Sequence, residues 1–169
     1  EGLCLSTVDE IKTPANFVRL WRNEVLRVFR DRMINSDDHV VVNEEMDIIM
    51  SELMPEAKDE VMQEPSLFGD FELAPMRISE DAEDPRLYKD LGDFNRIRRL
   101  FDDIMESYNI DKRPMNLVLF DMALDHLTRI HRIIRMPRGN ALLVGVGGSG
   151  RQSLTKLATF SAGYEIFEI

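Results

Sequence analysis

The chain has 169 residues, of which 44% are apolar, and a formal net charge of −10 at neutral pH. This length holds one ordinary domain or two small packed units, and the acidic balance argues against nucleic-acid binding, which needs Lys and Arg to displace counterions from phosphates. No apolar run approaches the roughly 20 residues that span a bilayer, and the N-terminus lacks the pattern of a secretory signal. We therefore expect a soluble, cytoplasmic protein that binds neither nucleic acid nor a membrane, with an inert single cysteine, Cys4.

Two helices are predicted near the N-terminus. Thr13 can cap a helix that begins at Pro14, because its hydroxyl accepts a free backbone N–H and proline is favourable at the first helical position. Apolar residues at spacings of three and four extend this helix to about Asn35, and its arginines, Arg19, Arg22, Arg27, Arg30 and Arg32, are expected to face solvent or a partner. A second helix is predicted over residues 43–54. Together they indicate an all-helical unit over residues 1–54.

A proline-interrupted, acidic segment is predicted over residues 55–87. Residues 44–84 contain 14 acidic side chains but only two basic ones, Lys58 and Arg77. We expect a linker of this composition to be solvated, although an acidic docking surface is the alternative. Its isolated apolar residues, Phe68, Phe71, Leu73 and Met76, are expected to anchor it to a neighbouring surface. Because such a linker offers few contacts, we expect the parts before and after it to behave as separate units.

Two further helices are predicted downstream of this linker. Asp93 is a suitable cap for a helix that runs to about Tyr108, and a second apolar stripe indicates a helix over residues 116–135. His126 and His131 lie on the latter helix, but a spacing of five does not place them on one face. No metal site is assigned to them.

The last 30 residues have the order strand, glycine loop, helix, strand. Residues 140–144 form an apolar run that suits a buried strand, residues 153–162 fit a helix, and residues 164–169 alternate as a strand does. The loop between the first strand and the helix is Gly-Val-Gly-Gly-Ser-Gly-Arg-Gln-Ser, residues 145–153. The predicted fold is therefore mainly α, followed by the start of an α/β P-loop domain over residues 88–169, where the helices lead into a βαβ unit.

This loop has the composition of a phosphate-binding loop. Several backbone N–H groups must converge on phosphate oxygens, which requires tight turns with little side-chain bulk, and the N-terminus of the next helix adds the positive end of its dipole. We therefore predict that the loop binds ATP or ADP. The predicted phosphate-binding residues are Gly145, Gly147, Gly148, Ser149, Gly150, Arg151, Gln152 and Ser153.

The loop departs from the P-loop pattern G-x-x-x-x-G-K-[ST] at two functional positions. Arg151 stands where lysine belongs, and Gln152 stands where a hydroxyl residue binds Mg²⁺. The planar guanidinium does not replace a compact ammonium inside a tight loop, and an amide oxygen is a poor substitute for a small hydroxyl on Mg²⁺. Ser153 is the remaining candidate to reach the ion, indirectly. Nucleotide binding is thus better supported than hydrolysis.

With these departures, the sequence resembles a dynein heavy chain. The loop and its helix start, residues 145–154, look like the P-loop of the fourth AAA+ module in axonemal members of that family, and residues 114–121 are similar to the segment before that loop. Residues 17–24 and 27–32 resemble the C-terminal helical lid of the third module. The resemblance covers essentially the whole chain and is strongest to inner-arm types.

The resemblance implies a ring-shaped motor of six AAA+ modules that moves on microtubules in the cytoskeleton of the ciliary or flagellar axoneme. It implies a regulatory or structural role for this nucleotide site, with adenine contacts from Leu117 and Val118. The implied partners are the neighbouring AAA+ modules of the same chain and, through other parts of the motor, microtubules.

No catalytic residue is assigned within the chain. Hydrolysis in this class needs an acidic strand end that holds Mg²⁺ and an arginine supplied across the ring, and neither is found here, so the chain alone should not be an ATPase. The alternative is a non-catalytic helical interaction or assembly module whose glycine-rich loop is only a turn. A small P-loop kinase is disfavoured by the missing lysine and by the long helical region before the loop.

Overall fold

The structure is a computed structural model that describes residues 2–74 and 86–169, so the predicted anchor Met76 lies outside the described residues. Within these ranges the fold is mainly helical, as predicted. The helices are α1 (Pro14–Val28), α2 (Ser36–Leu53), α3 (Lys58–Met62), α4 (Phe94–Asp111), α5 (Asp121–Arg135) and α6 (Arg151–Ser161). Strands β1 (Phe68–Gly69) and β2 (Lys89–Asp90) pair in antiparallel orientation. No helix in the described ranges is long and apolar enough to cross a membrane.

Helix α1 begins as predicted but ends earlier. The hydroxyl of Thr13 accepts a hydrogen bond from the backbone N–H of Asn16 at 3.1 Å, which confirms the cap. The helix stops at Val28 rather than near residue 35, and a short 3-10 turn, Arg30–Arg32, follows it. Helix α2 then starts at Ser36, earlier than predicted, with two acidic residues in its first turn that complement the helix dipole. The break between α1 and α2 was not predicted, because the spacing of apolar residues continues across it.

The arginines of α1 do not all face solvent, which corrects the prediction. Arg19 is 5% exposed, and its guanidinium contacts the carboxylate of Asp90. It also donates to the backbone carbonyls of Gln63 at 2.6 Å and Pro65 at 3.1 Å. Arg22 is 2% exposed and pairs with Glu64. The carbonyls between α3 and β1 lack strand partners, so a buried arginine satisfies them instead.

The described part of the predicted linker is packed against α1 and α2. Val61 on α3 is fully buried with Ala15 and Met50 in a small core. Phe71 is buried in the main core, and Phe68 packs with Leu20, so two of the predicted anchors are buried. Although the segment is acidic, several of its apolar side chains are therefore well packed.

The main core lies between α4, α5 and α6. Helix α4 begins as predicted, with the carboxylate of Asp93 accepting from the N–H of Arg96 at 2.8 Å. Helix α5 begins at Asp121 and not near residue 116, because residues 114–120 run irregularly along the core. The buried core side chains include Phe71, Leu91, Ile97, Phe101, Ile104, Leu124, Leu127, Leu154, Leu157 and Ala158. This core supports α6 and, with it, the glycine loop.

Charged contacts join α1 to α5, although the parts before and after the linker were expected to behave as separate units. Glu24 on α1 accepts from Nε of Arg132 on α5 at 3.2 Å. Arg27 on α1 lies 3.5 Å from the carboxylate of Asp125 on α5. Burial lowers the pKa of Arg27, and Asp31 and Asp125 partly compensate for it. These contacts, which we call the α1–α5 seam, bind the two helical parts together.

The helix of the predicted βαβ unit is present as α6, but its flanking segments carry no strand pairing within the described residues. Residues 140–144 and 164–169 are unpaired, and Leu142 and Phe167 are about nine-tenths exposed, at 90% and 88%. A strand is defined by backbone hydrogen bonds to a neighbouring strand, and neither segment has such a partner among the described residues. The prediction of two strands inside this chain is therefore corrected, although the mainly helical fold leading to a P-loop region is right.

Candidate nucleotide-binding loop

The glycine loop turns back on itself twice before α6. Gly148 and Gly150 adopt left-handed conformations with φ of +78° and +75°, which favour glycine because it lacks Cβ. Gly150 caps α6, and its carbonyl accepts from the N–H of Leu154 at 2.8 Å. The N–H groups of Gly147, Gly148 and Gly150 find no acceptor among the described residues. These three amides are available to an anion at the positive end of α6.

A cleft of about 830 Å³ lies beside this loop and the first two turns of α6. Six of the eight predicted phosphate-binding residues line it, from Gly148 to Ser153. Gly145 and Gly147 belong to the same loop but not to the cleft wall. The remaining wall consists of Leu143, Thr155, Lys156, Ile166, Phe167 and Glu168. The structure therefore brings most of the predicted set together around one space.

Arg151 folds back onto the loop. Its guanidinium donates to the backbone carbonyls of Leu143 at 3.4 Å and Val146 at 3.2 Å. Both carbonyls precede the glycine turns, so the side chain spans the base of the loop. Its charge is thus held next to the cleft while its donors serve the loop backbone.

The two residues predicted to contact adenine, Leu117 and Val118, differ in their distance from the loop and in their exposure. A methyl carbon of Leu117 lies 3.5 Å from the position that a Cβ on Gly150 would occupy, so this side chain borders the loop. Leu117 is also partly buried against the main core. Val118 is 75% exposed, and neither residue lines the cleft. Only Leu117 is thus close to the loop.

The cleft contains a second cation that the P-loop pattern does not include. Lys156 lies on α6, and its ammonium pairs with Glu168 at 2.6 Å across the cleft wall. The P-loop pattern ends before this position, so no sequence signal points to it. Together with Arg151, Lys156 gives the cleft two positive side chains against the one carboxylate of Glu168.

A buried polar cluster lies at the other end of α6. Nε2 of His131 on α5 donates to the carboxylate of Asp70, and its Nδ1 lies 2.7 Å from the hydroxyl of Ser161, the last residue of α6. The second carboxylate oxygen of Asp70 accepts from Nε of Arg135 at 2.8 Å. Burial alone raises the pKa of Asp70, but the hydrogen bonds and charges of His131 and Arg135 outweigh it and lower the pKa from 3.8 to about 2.

We expect Asp70 to contribute to stability in a pH-dependent way. Since its pKa is lower in the folded state, this contribution is present above about pH 4 and is lost as the pH falls towards 2. Between pH 5 and pH 2, the free energy of unfolding of the chain should fall by about 2 kcal/mol more than that of Asp70→Asn. Urea unfolding followed through the fluorescence of Trp21 measures it. Asp102→Asn, which removes an exposed carboxylate from α4, serves as the control, and equal losses in all three proteins would contradict the assignment.

Comparison with protein families matches two regions of the chain. Residues 1–64 match the AAA+ lid domain. Residues 115–169 match the P-loop-containing dynein motor region D4. The first region contains α1, α2 and α3, and the second contains α5, the glycine loop and α6.

Curated relatives match over the full chain. The dynein-1-alpha heavy chain of the flagellar inner arm I1 complex of Chlamydomonas reinhardtii is 52% identical over 100% of this chain. Human dynein axonemal heavy chain 10 is 50% identical over 99% of it, and the flagellar outer-arm dynein beta chain of Chlamydomonas reinhardtii is 37% identical over 100%. The chain spans about 4% of the length of these relatives. It belongs to the dynein heavy-chain family, within which it corresponds to the stretch from an AAA+ lid to the P-loop of region D4.

Proposed function

We propose that the chain carries a nucleotide site of a microtubule-based motor ATPase, and that its glycine loop binds ATP or ADP as a regulatory or structural site with weak or no hydrolysis. The observation that carries this proposal is the set of three glycine amides without acceptors among the described residues, in the loop that leads into the N-terminus of an 11-residue helix. Backbone amides in this arrangement hold a diphosphate without the help of a particular side chain.

Weak hydrolysis follows from the side chains at the two altered positions. Transfer of the γ-phosphoryl group depends on Mg²⁺ between the β- and γ-oxygens and on a well-placed cation. The donors of Arg151 serve the carbonyls of Leu143 and Val146, and Gln152 offers no hydroxyl. Ser153 lines the cleft and is the residue that we assign to Mg²⁺, indirectly. A nucleotide that binds under these conditions persists, so it braces the junction between two modules.

The remaining assignments rest on the family. We propose that the partners are neighbouring AAA+ modules of the same chain, and microtubules through other parts of the motor, in the cytoskeleton of a ciliary or flagellar axoneme. The higher identity to an inner-arm chain than to an outer-arm beta chain of the same alga, 52% against 37%, supports an inner-arm type.

The division into a lid, a linker and a nucleotide-binding part also stays a proposal, with boundaries at residues 1–54, 55–87 and 88–169. The packing of Val61 on α3 against α1 and α2, together with the family match over residues 1–64, favours a lid that ends nearer residue 64.

The test uses the complete motor, with the other nucleotide sites disabled by substitution. A high-resolution map should show nucleotide beside residues 147–153, with its phosphates against the loop amides. Single-turnover measurements should detect binding of ATP but little conversion to ADP. The double replacement Arg151→Lys and Gln152→Thr restores the usual lysine and hydroxyl and is the matched comparison for hydrolysis.

Two outcomes would defeat the proposal. An empty loop in the map would leave the glycines as a simple turn, as in an interaction module. Rapid single-turnover hydrolysis at the unaltered site would show that Arg151 and Gln152 support catalysis.

A further inference from the structure

The far end of α6 is fixed by three buried residues, Asp70, His131 and Ser161, and the partly exposed Arg135 pairs with Asp70. His131 is 1% exposed, Ser161 is 1% exposed and Asp70 is 7% exposed, so no substrate reaches them. The hydroxyl of Ser161 donates its proton to the backbone carbonyl of Ala158 at 2.8 Å. The ring nitrogens of His131 contact the serine and the aspartate in the reverse of the order found in a hydrolytic triad, and the burial of all three residues makes them a structural connection.

This connection joins segments that are distant in sequence. Asp70 directly follows β1, His131 is in the third turn of α5, and Ser161 ends α6. The edge of the imidazole ring also packs on Phe71, with ring centroids 5.0 Å apart. A single side chain thus binds the sheet, α5 and α6 together.

The sheet is in turn held by α1. Strand β1 pairs with β2, and Asp90 of β2 accepts from Arg19 of α1. Polar contacts therefore run from α1 through the sheet to Asp70, and from Asp70 through His131 to α6. The N-terminus of α6 carries the glycine loop, about 16 Å away along an 11-residue helix.

We propose that His131 is a positioning residue for the nucleotide site. It fixes the C-terminal end of α6 to the sheet that α1 holds, and so keeps the glycine loop at the other end in its binding orientation. An α-helix of this length is stiff, so a change in direction at Ser161 displaces the amides of Gly148 and Gly150. The proposal rests on nucleotide binding by the loop, as proposed above, and adds the residue that links this site to the preceding lid helix.

The experiment compares three variants in the complete motor. His131→Leu removes both hydrogen bonds, His131→Gln keeps a side chain that can form part of them, and Ile130→Ala weakens the core beside His131 without touching the polar cluster. Two quantities are measured: the ADP affinity of this site, with the other sites disabled, and loop exchange without nucleotide, by which we mean the amide hydrogen exchange of Ser149 and Leu154, whose N–H groups donate to the loop carbonyls of Val146 and Gly150.

We expect His131→Leu to weaken ADP binding about tenfold, the equivalent of one buried hydrogen bond, and to speed exchange in the loop. His131→Gln should lie between this variant and the unaltered motor, and Ile130→Ala should leave both quantities near their original values. Equal effects of His131→Leu and Ile130→Ala would reduce His131 to a packing residue and overturn the proposal. Unchanged loop exchange in His131→Leu would overturn it as well.

Failure of the proposed function gives a different result. In that case the unaltered motor binds no ADP at this loop, whichever residue stands at position 131. Loop exchange then still decides whether His131 orients α6, because it is measured without nucleotide.

Discussion

Gly150→Val should weaken nucleotide binding at the glycine loop by at least about tenfold. Gly150 has φ of +75° and caps α6, and a β-branched residue is strongly disfavoured there. The left-handed conformation costs about 1–2 kcal/mol for a residue with a Cβ, and the branch adds to this because Leu117 already lies 3.5 Å from the Cβ position. Relaxing the strain rotates the amide at the centre of the loop. We expect an affinity loss of at least about tenfold, measured by equilibrium dialysis of the complete motor with ADP.

The matched control is Gly92→Val. Gly92 has φ of +80°, so the replacement carries a similar backbone penalty, but nothing lies within 4 Å of its Cβ position and it is outside the cleft. It should destabilise the protein locally and leave ADP binding unchanged. If Gly150→Val bound ADP as well as the unaltered motor, the loop would not be the site.

Glu24→Ala should destabilise the chain by about 3 kcal/mol or more. Glu24 is 7% exposed, and its carboxylate accepts from Arg132 and from the hydroxyl of Tyr88 at 3.1 Å. Burial and the charge of Glu24 raise the pKa of Tyr88, so the phenol stays a donor. Removing the carboxylate leaves a partly buried guanidinium and a buried hydroxyl without this acceptor. Urea unfolding monitored by Trp21, on the same helix, measures the loss.

Glu165→Ala is the matched control for this substitution. Glu165 also pairs with a cation, Lys112, at 3.0 Å, but its side chain is 86% exposed. Exposed pairs contribute about 0–1 kcal/mol, so the control should unfold almost as the original chain does. Similar losses in the two variants would show that the α1–α5 seam is not a buried connection.

The sequence predicted the helices well where caps and apolar spacing agree. Thr13 and Asp93 cap the helices as expected, and the stripes of α4 and α5 form the main core. The start of α2 at Ser36 was not predicted, because the apolar spacing of α1 continues through the short turn that separates the two helices. Buried polar contacts were missed for another reason: whether Arg19 faces solvent depends on carbonyls more than 40 residues away, and periodicity carries no information on them.

For the candidate site, the motif predicted the loop because its chemistry is local. Consecutive glycines, a strand-like run before them and a helix after them are all visible in the sequence. Lys156 and the His131 cluster could not be predicted in this way. Lys156 meets Glu168 only through the folding of the chain after α6, and His131 meets Asp70 across 61 positions.

The contacts of Arg19 determine which residues between α3 and β1 can be substituted during evolution. Two of its partners are the main-chain oxygens of residues 63 and 65, which every amino acid provides. The side chains of that loop can therefore be substituted as long as its backbone conformation is kept. The arginine is not free, because lysine has a single nitrogen and cannot reach several oxygens in the plane of a guanidinium. Among related sequences, we therefore expect amino-acid substitutions at residues 63–65 but a constant arginine at position 19.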